Sequence, residues 1–328
     1  MYNIRAESKP DDVLFSSSQA VKLGMENLEY RRQNKHAAVP IGLDSLDSIF
    51  LPMLPGELMT LIARPGGGKT GFMLRWARQR AKWLMANKQE EKAVVFVSCE
   101  QTVEELDSLG AAADTRINLE TMARGEISDP EWDRLQQSAM ERGAMPFWWI
   151  APSKANRRKR PRITVELITN TLLHLEQTTG IKPDICFVDY LQLIKTDKQS
   201  ESKVITVTNN LEECKDGALT SDCPWVVAAQ ARREVDQLAL PIPGLDSGQW
   251  TSGIEQFSDK VASLVRPSKY RKPGENFGSV EVNGHCQMLF SLLKQKLGKD
   301  NVAQWVYFDP AYNLLHELES RYAVEDSR

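Results

Sequence analysis

No stretch of the sequence stays apolar for the ~18 residues a membrane-spanning helix needs, so no candidate for one exists. The opening residues, MYNIRAESKPDDV, hold no apolar core of the kind a secretory signal carries, and a cytoplasmic chain is expected. Cysteine is sparse. Cys99, Cys186, Cys214, Cys223 and Cys286 are scattered with no C-x-x-C pair, and Cys99 and Cys186 lie in or beside apolar runs. The expectation is buried free thiols in a reducing cytosol. His36, His174, His285 and His316 stand alone, which excludes a histidine zinc spacing. An excess of positive charge is also missing. The net charge is −3, so no global basic field draws the chain onto nucleic acid, and any such contact must be local. No internal repeat or low-complexity tract is visible.

What is present is an ordinary globular balance: 328 residues, 41% hydrophobic and 26% charged, enough to bury a full core. The stretch around which the chain is organised runs from Glu57 to Trp76, ELMTLIARPGGGKTGFMLRW. Leu58 to Ala63 has strand length, and Arg64 to Gly68 is a loop. Lys69 to Met85 returns Phe72, Trp76, Ala77 and Leu84 at helical spacing. Strand, glycine loop, Gly-Lys-Thr and helix make a phosphate-binding loop. Gly66, Gly67 and Gly68 let backbone N–H groups approach phosphate oxygens, and the helix start aims its dipole at the same anion. Lys69 reaches the β/γ-phosphates and Thr70 supplies a hydroxyl to Mg²⁺. Ala63 replaces the first glycine of the general pattern.

Along the chain, residues 1–39 read as a polar tail and a tethered helix, Gln19 to Arg32, which needs a surface for its apolar side chains. Residues 40–320 form the main domain and 321–328 a tail. Strands are expected at Ala93–Ser98, Pro146–Ala151, Ile185–Val188 and Trp225–Ala229. Helices are expected within 103–143, interrupted at Asp129-Pro130, and over 163–180 and 203–220. Thr102 and Glu105 form a capping box. This alternation predicts an α/β fold with a mainly parallel sheet and helices on both faces. Residues 236–253 read as a Pro/Gly/Ser-rich loop. Lys260–Val265, Gln287–Lys294 and Val302–Phe308 read as strands of an edge extension. The basic run from Ser153 to Arg162 reads as a solvated loop ahead of a nucleic-acid contact.

Hydrolysis of a nucleotide needs a carboxylate for the Mg²⁺ shell, a base for water and a cation for the developing charge. Asp189, at the end of a buried strand, fits the first role. Glu100, at the end of the strand after the loop's helix, fits the second. Gln230 ends a third strand and reads either as a γ-phosphate sensor or as a polar strand end.

From Ile41 to His316 the chain resembles the ATPase domain of the DnaB family of replicative helicases, a branch of RecA-like motors. ARPGGGKT is similar to that family's A-R-P-x-x-G-K-T, which also lacks the first glycine. VFVSCEQT, TRINLETMARGEIS, VDYLQLI, VVAAQARREVDQ, SGIEQFSD, FSLLKQKLG and FDPAYNLLHE follow in the family's order. The resemblance implies a RecA-like core, ATP and Mg²⁺ as cofactors, and a hexameric ring with ATP sites between subunits. It implies that Arg64, Pro65, Gly66, Gly67, Gly68, Lys69, Thr70 and Gly71 hold the nucleotide. Thr70 and Asp189 would then hold the metal, with Glu100 and Gln230 catalytic. It implies that the tethered helix packs on a neighbouring subunit, and that Gln249, Trp250, Thr251, Ser252 and Gly253 meet single-stranded DNA. A loader or replication partner is a further implied contact.

Three departures accompany the resemblance. The family's helical N-terminal domain is not expected here. The family's K-Q-R, whose Arg enters the neighbour's ATP site, is Lys294-Gln295-Lys296, which keeps the charge and loses the bidentate fork. A channel-loop Arg becomes Gln249, followed by Trp250, which either stacks a base or packs the loop. The leading reading is a ring-forming ATP-driven motor on single-stranded DNA. The alternative is a RecA-like ATPase that switches assembly on DNA or a protein without unwinding. A monomeric nucleotide-binding module is a third reading, against which the tethered helix speaks.

Overall fold

Six apolar runs of the sequence become parallel strands in one sheet: β1 (Leu58–Ala63), β2 (Lys92–Ser98), β3 (Phe147–Ile150), β4 (Lys182–Asp189), β5 (Trp225–Gln230) and β6 (Lys260–Val265). The computed structural model describes residues 14–156, 161–196, 203–245, 251–284 and 286–318. The chain divides after Ala38 into two units.

The first unit is built on α1 (Ser17–Gln33). Ser16 Oγ accepts from Gln19 N at 3.3 Å while Ser16 N donates to Gln19 Oε1 at 2.8 Å, a reciprocal cap that fixes the helix start. Arg31 and Arg32 complement the dipole at the other end. No residue of α1 is buried, and Val21, Met25, Leu28 and Tyr30 are exposed.

The second unit holds the sheet, in the order β11-β10-β9-β6-β1-β5-β4-β2-β3. Strands β9 (Gln287–Gln295), β10 (Val302–Asp309) and β11 (Leu314–Glu317) extend it antiparallel beyond β6. A small hairpin, β7 (Asn276–Phe277) with β8 (Val280–Glu281), stands apart. The remaining helices are α2 (Asp44–Asp47), α3 (Lys69–Ala86), α4 (Val103–Thr115), α5 (Leu119–Arg124), α6 (Asp129–Gly143), α7 (Val165–Thr179), α8 (Lys203–Thr220) and α9 (Thr251–Phe257).

Alternate residues of the inner strands face two separate cores. Leu61, Phe96 and Phe187 pack with Phe72, Trp76 and Leu84 of α3, whereas Ile62, Val95, Cys186 and Val227 pack with Ile168 and Leu172 of α7 and Leu211 of α8. A strand buried on both faces must be apolar throughout, which is why these strands read as unbroken runs. Trp76 and Phe187 meet edge to face with ring centroids 5.4 Å apart. Burial of each such ring contributes roughly 1.5–3 kcal/mol.

The α/β fold with helices on both faces is thus as expected, with local corrections. Lys260–Val265 belongs to no edge extension: β6 is buried along its whole length and lies parallel beside β1. Asp129-Pro130 interrupts the helical region and also opens α6, because Ser128 caps that helix with Glu131 and proline is tolerated in a first turn. The loop expected through Gly253 gives way to α9 at Thr251. A Cβ on Gly253 would stand 3.0 Å from Thr208, so glycine lets α9 settle on α8 and bury Ile254. Cys99, Cys186, Cys214 and Cys223 are buried free thiols and Cys286 is half-buried. Residues 157–160 of the basic run and the 321–328 tail lie outside the described residues.

Candidate nucleotide-binding site

The carboxyl ends of β1, β2, β4 and β5 open on one cavity of about 430 Å³. The loop after β1 is turned by Gly67 N donating to Arg64 O at 2.9 Å. Gly68 has φ +94°, and a Cβ there would come 2.4 Å from Met288 Cε, so only glycine can cap α3 in this way. The unpaired N–H groups of the first turn of α3 then face the cavity. Ala63 ends β1 in register with Gln230 and Leu264. As an ordinary strand residue, that position does not require glycine.

Lys69 Nζ donates to Ala63 O at 3.2 Å. Burial lowers its ammonium to about 8, against the opposing pull of Asp189. Thr70 Oγ1 donates to Asp189 Oδ2 at 2.5 Å. Burial raises the Asp189 carboxyl, and the Thr70 hydroxyl and Lys69 counter that rise. No group of three or more His, Cys, Asp or Glu exists among the described residues to hold an ion unaided. One hydroxyl beside one carboxylate suits Mg²⁺, which keeps water and takes further oxygens from phosphates.

Glu100 is exposed at the cavity's edge. The turn presenting it is closed by Gln101 N donating to Ser98 Oγ at 3.0 Å and tied to β4 by Cys99 N donating to Asp189 O at 2.7 Å. Gln230 also lines the cavity, and its N–H donates to Gln192 Oε1 at 3.2 Å. Thus Lys69, Thr70, Glu100, Asp189 and Gln230 are brought together, along with Pro65, Gly66, Gly68 and Gly71.

Arg64 is different. Its side chain turns from the cavity to grip Asp236, with Nε 3.0 Å from both carboxylate oxygens and Nη2 2.8 Å from one. Its Nη1 donates to Ala231 O at 2.9 Å. Tyr270 Oη donates to Asp236 at 3.0 Å, and Lys269 Nζ donates to Pro65 O at 2.6 Å. The phosphate loop is therefore held from behind by segments after β5 and β6. Sequence reasoning missed Asp236, Lys269 and Tyr270, because only the fold places them near residue 64. It also missed Tyr190, Arg266, Phe308, Pro310 and Asn313, which line the cavity. The motifs VDYLQLI and FDPAYNLLHE carried four of these five. The Arg266 guanidinium lies 5.6 Å from the Phe308 ring centroid.

Lys294 and Lys296 lie at the opposite end of the sheet. Gln295 pairs with Lys260, level with Met59, whereas the phosphate loop follows Ala63. Lys294 Nζ donates to Glu255 O and Ser258 O at 2.5 and 2.8 Å, capping α9, and Lys296 Nζ is 3.6 Å from Asp259. Gln249 and Trp250 lie outside the described residues, and Thr251, Ser252 and Gly253 open α9.

A strand, glycine loop and helix at the centre of a mainly parallel sheet, with Thr70 against Asp189 at the next strand end but one, define a P-loop protein of the RecA-like type. Residues 38–313 match the DnaB-like helicase C terminal domain, and the chain belongs to that family. It is 26% identical over 300 residues to the replicative DNA helicase DnaB of Geobacillus stearothermophilus, covering 90% of this chain and 61% of that one. Among solved structures, the ATPase domain of G40P superposes with a TM-score of 0.74 at 21% identity, covering 93% of this chain and 99% of that one. A DnaB-like replicative helicase, described with its interactions with primase, gives 0.75 at 22%, covering 95% and 69%. No helix among the described residues is long and apolar enough to cross a membrane.

Proposed function

We propose that the protein binds and hydrolyses ATP with Mg²⁺ and couples this to movement on single-stranded DNA as a ring-forming, hexameric motor. The observation that carries the reading is the convergence of Lys69, Thr70, Glu100, Asp189 and Gln230 on one cavity at the carboxyl ends of four strands. The loop N–H groups and Lys69 cradle the β- and γ-phosphates. Thr70 and Asp189 would hold Mg²⁺, which when bound would offset phosphate charge. Glu100 orients water and takes its proton, and Gln230 hydrogen-bonds the γ-phosphate. Arg266 and Phe308, a cation and a ring that present flat faces, line the cavity wall beside the phosphate loop.

Lys294 and Lys296 stand too far along the sheet to serve their own cavity, which fits action on a neighbouring copy. The loop before Ile254, with Gln249 and Trp250, supplies the DNA contact, and a loader or replication protein is the expected further partner. A second reading, an ATP-controlled assembly switch on DNA or protein, is favoured by Lys296 in place of a fork-forming Arg. A strand-displacement assay, paired with mass measurement in the presence of a non-hydrolysable ATP analogue, separates the two. Rings that displace a strand support the motor. Rings that bind DNA without displacement support the switch, and a nucleotide-insensitive monomer overturns both.

A further inference from the structure

Asn313 belongs to the turn between β10 and β11, and nothing in the proposed chemistry uses it. The turn is anchored on two sides: Ala311 N donates to Asp309 Oδ1 at 2.9 Å, and Leu119 N donates to Ala311 O at 2.9 Å. Asn313 adopts φ +47°. Asparagine tolerates that left-handed region and glycine adopts it freely, so the turn alone explains either residue. The side chain carries the further information. Asn313 is only 5% exposed, it lines the nucleotide cavity, and among the described residues its amide makes no hydrogen bond. A polar group that opens on the cavity and meets no protein partner is free to meet a ligand.

Its location narrows the ligand. Asn313 Oδ1 stands 2.3 Å from where a Cβ on Gly71 would lie, and ring atoms of Phe308 stand 2.8 Å from the same point. The amide therefore sits over the first turn of α3, beside the Phe308 ring and facing the cavity. Phosphate oxygens only accept hydrogen bonds and already face the loop N–H groups and Lys69. A ribose hydroxyl donates and accepts, as an amide does. We infer that Asn313 is a nucleoside-reading residue that hydrogen-bonds the ribose hydroxyls of the bound nucleotide. This rests on the nucleotide reading of the cavity above.

The test is equilibrium binding of ATP, 2′,3′-dideoxy-ATP and inorganic tripolyphosphate to the full chain, with Mg²⁺. Asn313→Gly removes the amide and keeps the turn. It is expected to weaken ATP about tenfold, the loss of one to two hydrogen bonds, and to leave tripolyphosphate within about twofold. The parent's preference for ATP over the dideoxy analogue should vanish in the variant. Should that variant not fold, the parent's own discrimination between ATP and the dideoxy analogue is the second measurement. Unchanged ATP binding makes Asn313 a turn residue only and overturns the inference. Equal loss of ATP and tripolyphosphate shows a general collapse of the site and also overturns it. A parent that binds tripolyphosphate and ATP without hydroxyl preference sinks the inference alone, whereas a parent that binds neither sinks the nucleotide reading.

Discussion

Lys69 is a lysine whose surroundings bring its proton within reach of ordinary buffers. Burial lowers it to about 8 in the nucleotide-free protein. Bound phosphates favour the charged form, so they raise that value. Protonation is then complete in both states well below 8 and is lost first in the free protein as the pH rises through it. ATP affinity should be flat below pH 8 and fall by up to about tenfold per unit above it. Titration calorimetry between pH 7 and 9.5 checks this, and constant affinity across that range would refute the role of the lysine. Glu100 gives a different signature. As a base for water it matters to the chemical step alone, so Glu100→Gln should bind ATP like the parent and turn over roughly 10²–10⁴-fold more slowly. Comparing ATP dissociation constants with single-turnover rates checks it, and unchanged turnover would place the base elsewhere.

At the scale of elements, the phosphate loop is shaped by its neighbours as much as by its own glycines. The Arg64 guanidinium, followed by the Tyr270 hydroxyl, holds the Asp236 carboxyl below its ordinary range. Asp236 is partly exposed, so water screens the pair and its energetic share is modest. Asp236→Asn should weaken ATP by roughly two- to fivefold with little change in the rate of bound ATP, as binding and single-turnover data would show. The strands and α3 were legible because two buried faces demand unbroken apolar runs and one demands a 3.6-residue period. Lys69, Thr70, Glu100, Asp189 and Gln230 were legible because each ends or follows such a run. Asp236, Lys269 and Asn313 were not. They meet the loop only through the order of strands, although the motifs VVAAQARREVDQ and FDPAYNLLHE hold Asp236 and Asn313. The grip of Arg64 on Asp236 was hidden for the same reason, since the two lie 172 positions apart. The end of β9 supports a fourth expectation. A lysine stabilises a transition state less than a fork-forming arginine, so Lys296→Arg should speed hydrolysis and Lys296→Ala should slow it in assembled protein. Single-turnover assays with matched assembly decide this, and a fast Lys296→Ala ring would exclude the trans contact.

For the whole molecule, α1 is a capped helix with no buried residue. Val21, Met25, Leu28 and Tyr30 along it are exposed. Deleting residues 1–35 should shift assemblies toward monomers and lower ATPase activity, which light scattering and a phosphate-release assay would show together. Unchanged mass with full activity would remove α1 from assembly.

The reversed direction of β9 has one more consequence. On the proposed trans contact, because that strand runs against its neighbours, each copy would carry a nucleotide socket at one end of its sheet and a lysine plug at the other. Copies joined plug to socket relate head to tail, and such a chain either closes or grows. In a closed assembly a copy lacking Lys296 spoils the socket of its neighbour and leaves its own intact. Mixed populations then report how sites take turns. Activity proportional to the dose of intact copies means independent firing, and a steep early drop means that each socket waits for the one before it.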